Sequence, residues 1–243
     1  NVEKVVREVP LYQTAAVTES TNVENPTLGV RIVESFKGPE KIGADEVLVK
    51  MIYSSVNHID WMYNTGKFWF QPTAPFIGGR DGCGIVVKIG ENCPTSLKIN
   101  DVVCGVTDNQ MWGTFGQYAI FKWSQLALKP DTLPVEHAAG LPLVLLTAWE
   151  TFQKIPNPSA LKRILIHGGA GGVGSWLILL AKYYYNIPEV ITTCRDTNTD
   201  YVKELGADRA INYNQGNFDT IILQEYTDVV PPLDAVMDTV GGD

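Results

Sequence analysis

The sequence has few cysteines and few histidines, which limits the kinds of site that it can form. Of its 243 residues, four are cysteine and three are histidine. No two cysteines form a Cys-x-x-Cys pair, so a disulfide framework is not indicated and a reducing compartment is expected. We interpret the cysteines as small buried side chains; they are Cys83, Cys93, Cys104 and Cys194.

Basic residues and long apolar runs are also scarce. Nineteen Lys and Arg stand against 27 Asp and Glu, which gives a net charge of -8, and the basic residues form no cluster. The longest apolar run, residues 138–149, is shorter than the roughly 18 residues that a membrane helix needs. We therefore expect neither a nucleic-acid partner nor a membrane span. The first ten residues do not resemble a signal peptide. We expect a cytoplasmic location, with an upstream mitochondrial presequence as the alternative.

The hydrophobic pattern divides the chain into two halves. Up to residue 133, short β-branched runs alternate with turn residues, which predicts an antiparallel, barrel-like β domain over 12–133 after an N-terminal extension of residues 1–11. From residue 134, helices and strands alternate, which predicts a parallel doubly wound sheet over 134–243. The predicted strands are 12–19, 28–36, 45–56, 82–90, 101–106, 116–123, 163–168, 189–194, 209–213 and 232–240.

The predicted helices lie in the second half. They are residues 134–154, broken at Pro142, and residues 174–185 and 199–206. A six-stranded dinucleotide-binding fold would need two more strands than this half supplies. We therefore expect the chain to be incomplete at its C-terminus.

The most informative stretch of the sequence is a cluster of glycines. It matches Gly-x-Gly-x-x-Gly, follows a predicted buried strand and opens an apolar helix, the context in which this pattern binds a dinucleotide. Gly169 would permit the tight turn, Gly171 would let a pyrophosphate approach, and Gly174 would let the helix pack closely. The alternative is a turn without a ligand. The residues assigned to the cofactor are Gly169, Ala170, Gly171, Gly172, Val173 and Gly174.

The end of the next strand bears on the choice of cofactor. An NAD site typically has an acidic residue there, which accepts hydrogen bonds from the ribose 2′-hydroxyl. The nearest position is the uncharged Thr193, and Arg195 follows it, where it could pair with a 2′-phosphate. We predict NADPH. Two alternatives stay open: Asp196 as an NAD marker, and Arg195 as a solvated loop charge.

Several segments, taken in order, resemble the medium-chain dehydrogenase/reductase superfamily. More narrowly, nearly the whole chain is similar to its zinc-free quinone oxidoreductase, or ζ-crystallin-like, group. The resemblance implies a GroES-like β domain followed by a Rossmann domain, and a homodimer. The segments that carry it are SSVNHIDWMYNTGKF, PFIGGRDGCGIVVKIG, LPLVLLTAWETF, ILIHGGAGGVGS, KELGADRAINY and DAVMDTVGG.

The same resemblance bears on zinc. Zinc alcohol dehydrogenases of this superfamily take catalytic ligands from three segments, which correspond to residues 54–57, 77–84 and 140–146 here. The first and third lack the expected cysteine and the second lacks the expected histidine, whereas a catalytic site needs about three protein ligands. The four-cysteine structural lobe is also missing. We predict that no metal is bound and interpret His58 and His137 as structural or surface residues.

The resemblance implies hydride transfer from NADPH to a small molecule, either a quinone or an α,β-unsaturated carbonyl. Asn57 matches the family asparagine beside the nicotinamide. For each residue carried over in this way, local packing is the alternative. The cofactor residues implied by the resemblance are Thr147, Val240 and Gly241 near the nicotinamide, Thr193 near the 2′-phosphate, and Tyr213 at the adenosine phosphate.

Two departures from the family pattern affect catalysis. Quinone reductases place a tyrosine where Met62 lies here, so the neighbouring Tyr63 is the catalytic candidate, with water as the alternative. Enoyl thioester reductases place a proton-donating tyrosine where this chain has Phe68. Thr197 stands where many family members have a lysine that binds the 2′-phosphate, and Arg195 could compensate for the missing lysine. Two further functions stay open: a trans-2-enoyl thioester reductase, and a nucleotide-binding scaffold or regulatory protein with little catalysis.

Overall fold

The computed structural model describes residues 9–22, 24–228 and 231–241. They form two compact units, and the boundary between the units lies after Leu143. The predicted domain boundary, between residues 133 and 134, stays a prediction. In the structure the segment after it belongs to the first unit, because Ala138 and Ala139 pack against Cys83. Most of the predicted N-terminal extension lies outside the described residues.

The first unit consists of two antiparallel sheets. Its strands are β1 (Tyr12–Thr18), β2 (Val30–Lys37), β3 (Glu46–Ser54), β4 (Phe76–Ile77), β5 (Asp81–Ile89), β6 (Val102–Val106), β7 (Tyr118–Lys122) and β8 (Leu126–Leu128). The larger sheet has the order β7-β3-β5-β6-β8 and the smaller one β2-β1-β4. Backbone hydrogen bonds join the two, from the Ala16 amide to the Phe115 carbonyl and from the Gln117 amide to the Thr14 carbonyl. The predicted antiparallel β architecture is confirmed.

Two helices complete the first unit. Helix α1 (His58–Thr65) follows β3, and helix α2 (Val135–Gly140) packs on β5. The first six residues of β5 are all buried, so both faces of this part of the strand are covered. Helix α1 was not predicted from the sequence.

The second unit contains a parallel four-stranded sheet. Its strands are β9 (Arg163–His167), β10 (Glu189–Cys194), β11 (Arg209–Asn212) and β12 (Ala235–Asp238), in the order β11-β10-β9-β12. All three pairings are parallel, which confirms the predicted doubly wound architecture. The helices are α3 (Pro142–Gln153), α4 (Gly172–Leu179), which continues as a π-helical segment over Leu180–Tyr184, α5 (Thr199–Glu204) and α6 (Phe218–Glu225).

The core of the second unit lies on both faces of this sheet. Ile164 and Ile166 of β9 pack on one face with Leu177 and Ile178 of α4. Leu165, between them in sequence, packs on the other face with residues of β10, β11 and α6. This arrangement explains why helix α4 is apolar nearly all round. No helix among the described residues is long and apolar enough to cross a membrane.

Candidate functional site

The glycine cluster forms the turn between β9 and α4. Gly168 has a φ of +80°, a left-handed conformation that favours glycine. The motif predicts Gly169 as the turn residue, whereas the structure places the left-handed residue one position earlier. Gly169 is needed for a different reason, because a Cβ there would lie 1.9 Å from the Oγ1 of Thr192 on β10.

The other two motif glycines differ in what surrounds them. A Cβ on Gly174 would lie 2.3 Å from the carbonyl oxygen of Gly168, so its absence lets α4 pack directly against the turn. A Cβ on Gly171, the N-cap of α4, would meet within 4 Å only that same carbonyl oxygen, at 3.3 Å. Gly171 therefore leaves open space beside the backbone at the start of the helix.

Thr193 fixes the turn from the end of β10. Its hydroxyl accepts a hydrogen bond from the Gly168 amide at 3.0 Å and lies 2.5 Å from Nδ1 of His167. Its carbonyl accepts a hydrogen bond from the Gly169 amide at 3.1 Å. Which of the two groups donates in the hydrogen bond between this hydroxyl and Nδ1 depends on the tautomer of His167. The fully buried Thr193 side chain is thus engaged in holding the turn.

A cleft of about 770 Å³ adjoins the turn. Arg195 and Tyr213, both exposed, line it, and Arg195 Nε donates a hydrogen bond to the Tyr213 hydroxyl at 2.9 Å. The structure thus brings together two residues that were predicted separately. The residues that line the cleft are His167, Gly168, Ala170, Gly171, Thr193, Cys194, Arg195, Asn198, Tyr213, Asn217, Phe218, Thr239 and Val240.

Two aromatic rings of the cleft wall are among the lining residues that were missed from the sequence. The rings of His167 and Phe218 stack with centroids 4.7 Å apart and an interplanar angle of 26°. His167 stands next to the glycine motif, which could have drawn attention to it. Phe218 begins helix α6, which was not predicted, so nothing in the local pattern placed it near the turn.

The segment after β12 forms a second edge of the cleft. Val240 is exposed and lines it, whereas Gly241, with a φ of +71°, does not. The Asp238 carboxylate accepts hydrogen bonds from both of their amides, at 2.9 and 3.1 Å. These two bonds hold the pKa of Asp238 below its ordinary value. Asp238 therefore shapes this turn, a role that the sequence did not reveal.

The remaining residues assigned to the cofactor lie outside the cleft lining. Thr147 is exposed on α3, and its carbonyl accepts a hydrogen bond from the Thr151 hydroxyl. Gly172 faces Val144, since a Cβ there would lie 3.0 Å from its Cγ1, and Val173 packs against the core of the second unit. Their assignment to the cofactor stays a prediction.

In the first unit, the predicted catalytic Asn57 is held by a buried carboxylate. Asn57 precedes α1, and its side-chain Nδ2 donates hydrogen bonds to Asp81 Oδ1 at 2.7 Å and to Ser55 Oγ at 3.1 Å. Asp81 is fully buried, and burial raises its pKa, while hydrogen bonds from Ser55, the Leu143 amide and Asn57 oppose the rise. Asp81 was missed from the sequence, although a charge within GGRDGCG is unusual for a buried strand.

Tyr63, the other catalytic candidate, lies inside the first unit. It is 7% exposed, the Arg80 guanidinium lies 4.2 Å from its ring centroid, and Phe68 meets it edge-on at 4.9 Å. Asp60, also buried, accepts a hydrogen bond from the Asn57 amide at 2.7 Å. Burial raises the pKa of Asp60 to about 6. The catalytic assignment of Tyr63 stays a prediction.

The described residues contain no group of three or more His, Cys, Asp or Glu side chains that could hold a metal ion. The absence of zinc stays a prediction. Cys83 and Cys104 face each other across β5 and β6, and burial raises the pKa of Cys83 to about 12. All four cysteines are free thiols; Cys83 and Cys194 are buried as predicted, whereas Cys93 and Cys104 are only partly buried.

Comparison with known proteins gives consistent similarities. Residues 43–131 match the family described as the alcohol dehydrogenase GroES-like domain. The chain is 33% identical to the 2-methylene-furan-3-one reductase of Solanum lycopersicum, over 94% of this chain and 61% of that protein. It is also 33% identical to the chloroplastic NADPH-dependent alkenal/one oxidoreductase of Arabidopsis thaliana, over 83% of this chain and 51% of that protein. The chain thus spans 61% and 51% of the length of these two relatives.

Solved structures give the same result. The quinone oxidoreductase of Coxiella burnetii superposes with a TM-score of 0.80 at 28% identity, over 95% of this chain and 69% of that one. A mycobacterial protein complexed with NADPH superposes with a TM-score of 0.79 at 26% identity, over 95% of this chain and 67% of that one. The chain is therefore similar in sequence to these reductases and shares their fold, a GroES-like β domain and a parallel sheet with a glycine turn.

Proposed function

We propose that this protein is an NADPH-dependent reductase that transfers hydride, without zinc, to a quinone or an α,β-unsaturated carbonyl. The observation that carries the proposal is the turn over 168–174, where Gly171 leaves the backbone open beside a cleft. The printed names of the two plant relatives, a furanone reductase and an alkenal/one oxidoreductase, support the same substrate class.

The residues of the turn fit a dinucleotide. The amides at the N-terminus of α4 are not used within the helix, and together with the helix dipole they favour an anion such as a pyrophosphate. A side chain on Gly171 would occupy the space that such a group needs. We propose that Gly169 to Gly174 hold the pyrophosphate. When bound, NADPH would supply the hydride, and the protein would orient it and exclude water.

The charge of the cleft supports NADPH rather than NADH. None of its described lining residues is acidic, whereas Arg195 stands at its edge with its side chain held by Tyr213. A guanidinium binds a phosphate strongly, and an acidic residue would instead favour a free 2′-hydroxyl. Asp196, the alternative NAD marker, is not among the lining residues. We propose that Arg195 and Tyr213 bind the 2′-phosphate.

The remaining assignments follow the family resemblance. We propose a role in binding the nicotinamide for Asn57, Thr147, Val240 and Gly241. Tyr63 stays the proposed catalytic residue, and its burial beneath Arg80 favours the alternative, water, as the source of the proton that completes the reduction. A small-molecule substrate, a homodimer and a cytoplasmic location remain proposals. One relative that it resembles is named as chloroplastic.

The test is a titration of wild-type protein and Arg195→Ala with NADPH and with NADH, followed by nicotinamide fluorescence. We expect Arg195→Ala to weaken NADPH binding about tenfold or more, since it removes a charge-assisted phosphate contact, and to leave NADH binding unchanged. Arg31→Ala is the matched control, because Arg31 is an exposed arginine of the first unit. Equal losses for both nucleotides would contradict the 2′-phosphate assignment.

Substrates are then added to the NADPH complex. Oxidation by a small quinone or an enone supports the reductase. Oxidation by a crotonyl thioester alone would favour the enoyl thioester reductase. NADPH binding without oxidation by any of the three would favour the scaffold function, and failure of wild-type protein to bind either nucleotide would reject the cofactor proposal.

A further inference from the structure

The Asp81 carboxylate is buried, and its described hydrogen bonds all come from residues of the first unit. It is the first residue of β5, 0% exposed, and lies opposite Val106 of β6. Its Oδ1 accepts hydrogen bonds from Ser55 Oγ at 2.6 Å and from Asn57 Nδ2 at 2.7 Å, and its Oδ2 accepts one from the Leu143 amide at 3.0 Å. At 0% exposure this carboxylate is closed off from solvent. Its contacts converge on the segment that carries Asn57.

These contacts determine which end of the Asn57 amide points inward. An ionised carboxylate only accepts hydrogen bonds, so the NH₂ group must face Asp81. Its second hydrogen goes to Ser55 Oγ, which donates its own hydrogen to Asp81 and can therefore accept one from Asn57. A flipped amide would place a carbonyl oxygen 2.7 Å from a carboxylate oxygen, which is repulsive.

The backbone of Asn57 is fixed as well. Its amide donates to Asp60 Oδ2 at 2.7 Å, and its carbonyl accepts from the Asp60 amide at 3.0 Å. Both hydrogens of the side-chain NH₂ group have acceptors inside the protein. The side-chain carbonyl oxygen is then the atom that Asn57 can offer to a bound molecule.

We infer that Asp81 is a positioning residue that holds Asn57 with its carbonyl oxygen toward the ligand, so that Asn57 recognises a hydrogen-bond donor. The group recognised would be a hydroxyl or an amide N–H of the bound cofactor or substrate. Asn57 held in this way cannot donate to, and so cannot polarise, the carbonyl oxygen of a substrate. This inference rests on the proposed function, because the place of Asn57 beside the nicotinamide comes from family resemblance.

A double-mutant cycle tests whether Asp81 acts through Asn57. The NADPH dissociation constant is measured for wild type, Asp81→Asn, Asn57→Ala and the double variant. We expect each single change to weaken binding about tenfold and the double variant to bind no more weakly than Asn57→Ala, since residues in one network are not additive. If Asp81→Asn weakens NADPH binding by the same factor in Asn57→Ala as in wild type, Asp81 acts on the fold generally and the inference is wrong.

A matched variant separates this effect from lost stability. Thr107 is 1% exposed in the same unit, and its hydroxyl donates to the Ile120 carbonyl at 2.6 Å, so Thr107→Val also removes a buried hydrogen bond. We expect Thr107→Val to lower the thermal midpoint as Asp81→Asn does, but to leave NADPH binding within about twofold of wild type. Equal losses of binding in the two variants would overturn the inference.

A readout without cofactor distinguishes the inference from the proposed function. In protein labelled with ¹⁵N-asparagine, the Asn57 side-chain amide is the signal that disappears in Asn57→Ala. We expect its hydrogens to exchange slowly in wild type and rapidly in Asp81→Asn. Rapid exchange in wild type would overturn the inference even if NADPH binds. Slow exchange in a wild type that binds no nucleotide would reject the proposed function and leave the positioning role supported.

Discussion

At the scale of single residues, the first unit contains a buried carboxyl that opposes folding at neutral pH. Burial raises the pKa of Asp60 from 3.8 to about 6. The folded state therefore binds more protons than the unfolded state between about pH 4 and pH 6, so stability falls as the pH rises through this window. The shift corresponds to about 3 kcal/mol at most. In wild type this carboxyl makes the protein less stable at pH 7 than at pH 4 by up to that amount. We expect Asp60→Asn to remove this pH-dependent loss, and urea unfolding at the two pH values measures it.

The control for this prediction is a carboxyl shifted the other way. Contacts with Lys122 hold the pKa of Asp108 below its ordinary value, so Asp108 favours folding once it is ionised. We expect Asp108→Asn to lose stability at pH 7 relative to pH 4, the opposite sign to Asp60→Asn. Parallel pH profiles for wild type and Asp60→Asn would show that Asp60 titrates near its ordinary value when folded.

At the scale of secondary-structure elements, helix α4 packs so closely against the turn before it that Gly174 has no room for a side chain. A Cβ on Gly174 would lie 2.3 Å from the Gly168 carbonyl oxygen and 2.8 Å from the Gly169 Cα. We expect Gly174→Ala to displace α4, to destabilise the protein by about 1–3 kcal/mol and to abolish NADPH binding. Denaturant unfolding and nucleotide fluorescence measure the two effects.

Two other glycines supply the comparison. Nothing lies within 4 Å of a Cβ on Gly140, so Gly140→Ala should leave both stability and binding nearly unchanged. Among the described residues, a Cβ on Gly171 would have one neighbour within 4 Å, the Gly168 carbonyl oxygen at 3.3 Å, which would need to move slightly. Gly171→Ala should therefore cost much less stability than Gly174→Ala and yet weaken NADPH binding. Tight NADPH binding by Gly171→Ala would mean that the pyrophosphate does not lie against this residue.

At the scale of the whole molecule, tryptophans report separately on the two units. Trp149 and Trp176 belong to the second unit, and the other four belong to the first. A ligand of the folded state at about 100 times its Kd stabilises that state by about 2.7 kcal/mol. We expect NADPH at this excess to raise the melting midpoint of the ¹⁹F signals of Trp149 and Trp176 by about 10 °C. A smaller rise in Arg195→Ala is expected, and no rise in wild type would contradict nucleotide binding by this unit.

The sequence predicted the architecture of both units because periodicity and turn residues are local signals. The break at Pro142 is one example, since α2 ends at Gly140 and α3 begins at Pro142. Helices α1 and α6 were missed although the shorter helices α2 and α5 were predicted, so length alone does not explain the difference. The left-handed residue Gly168 and the network of Asp81, Ser55 and Asn57 depend on neighbours that are distant in sequence, for which a single sequence carries no signal. The roles of the site residues stay predictions for the same reason.

The central position of β9 in its sheet has a consequence for how the second unit folds. β9 is the first strand of this sheet in sequence, yet one of its two neighbours is β12, the last, and the Arg163 amide donates to Asp234 across 71 residues. Contacts between such distant residues slow folding, because a long loop must close before they form. During synthesis, β9 emerges from the ribosome long before β12, and its open edge has no partner in the interval. The sheet would therefore be completed late, and the open edge of β9 would need protection from pairing with other chains until then.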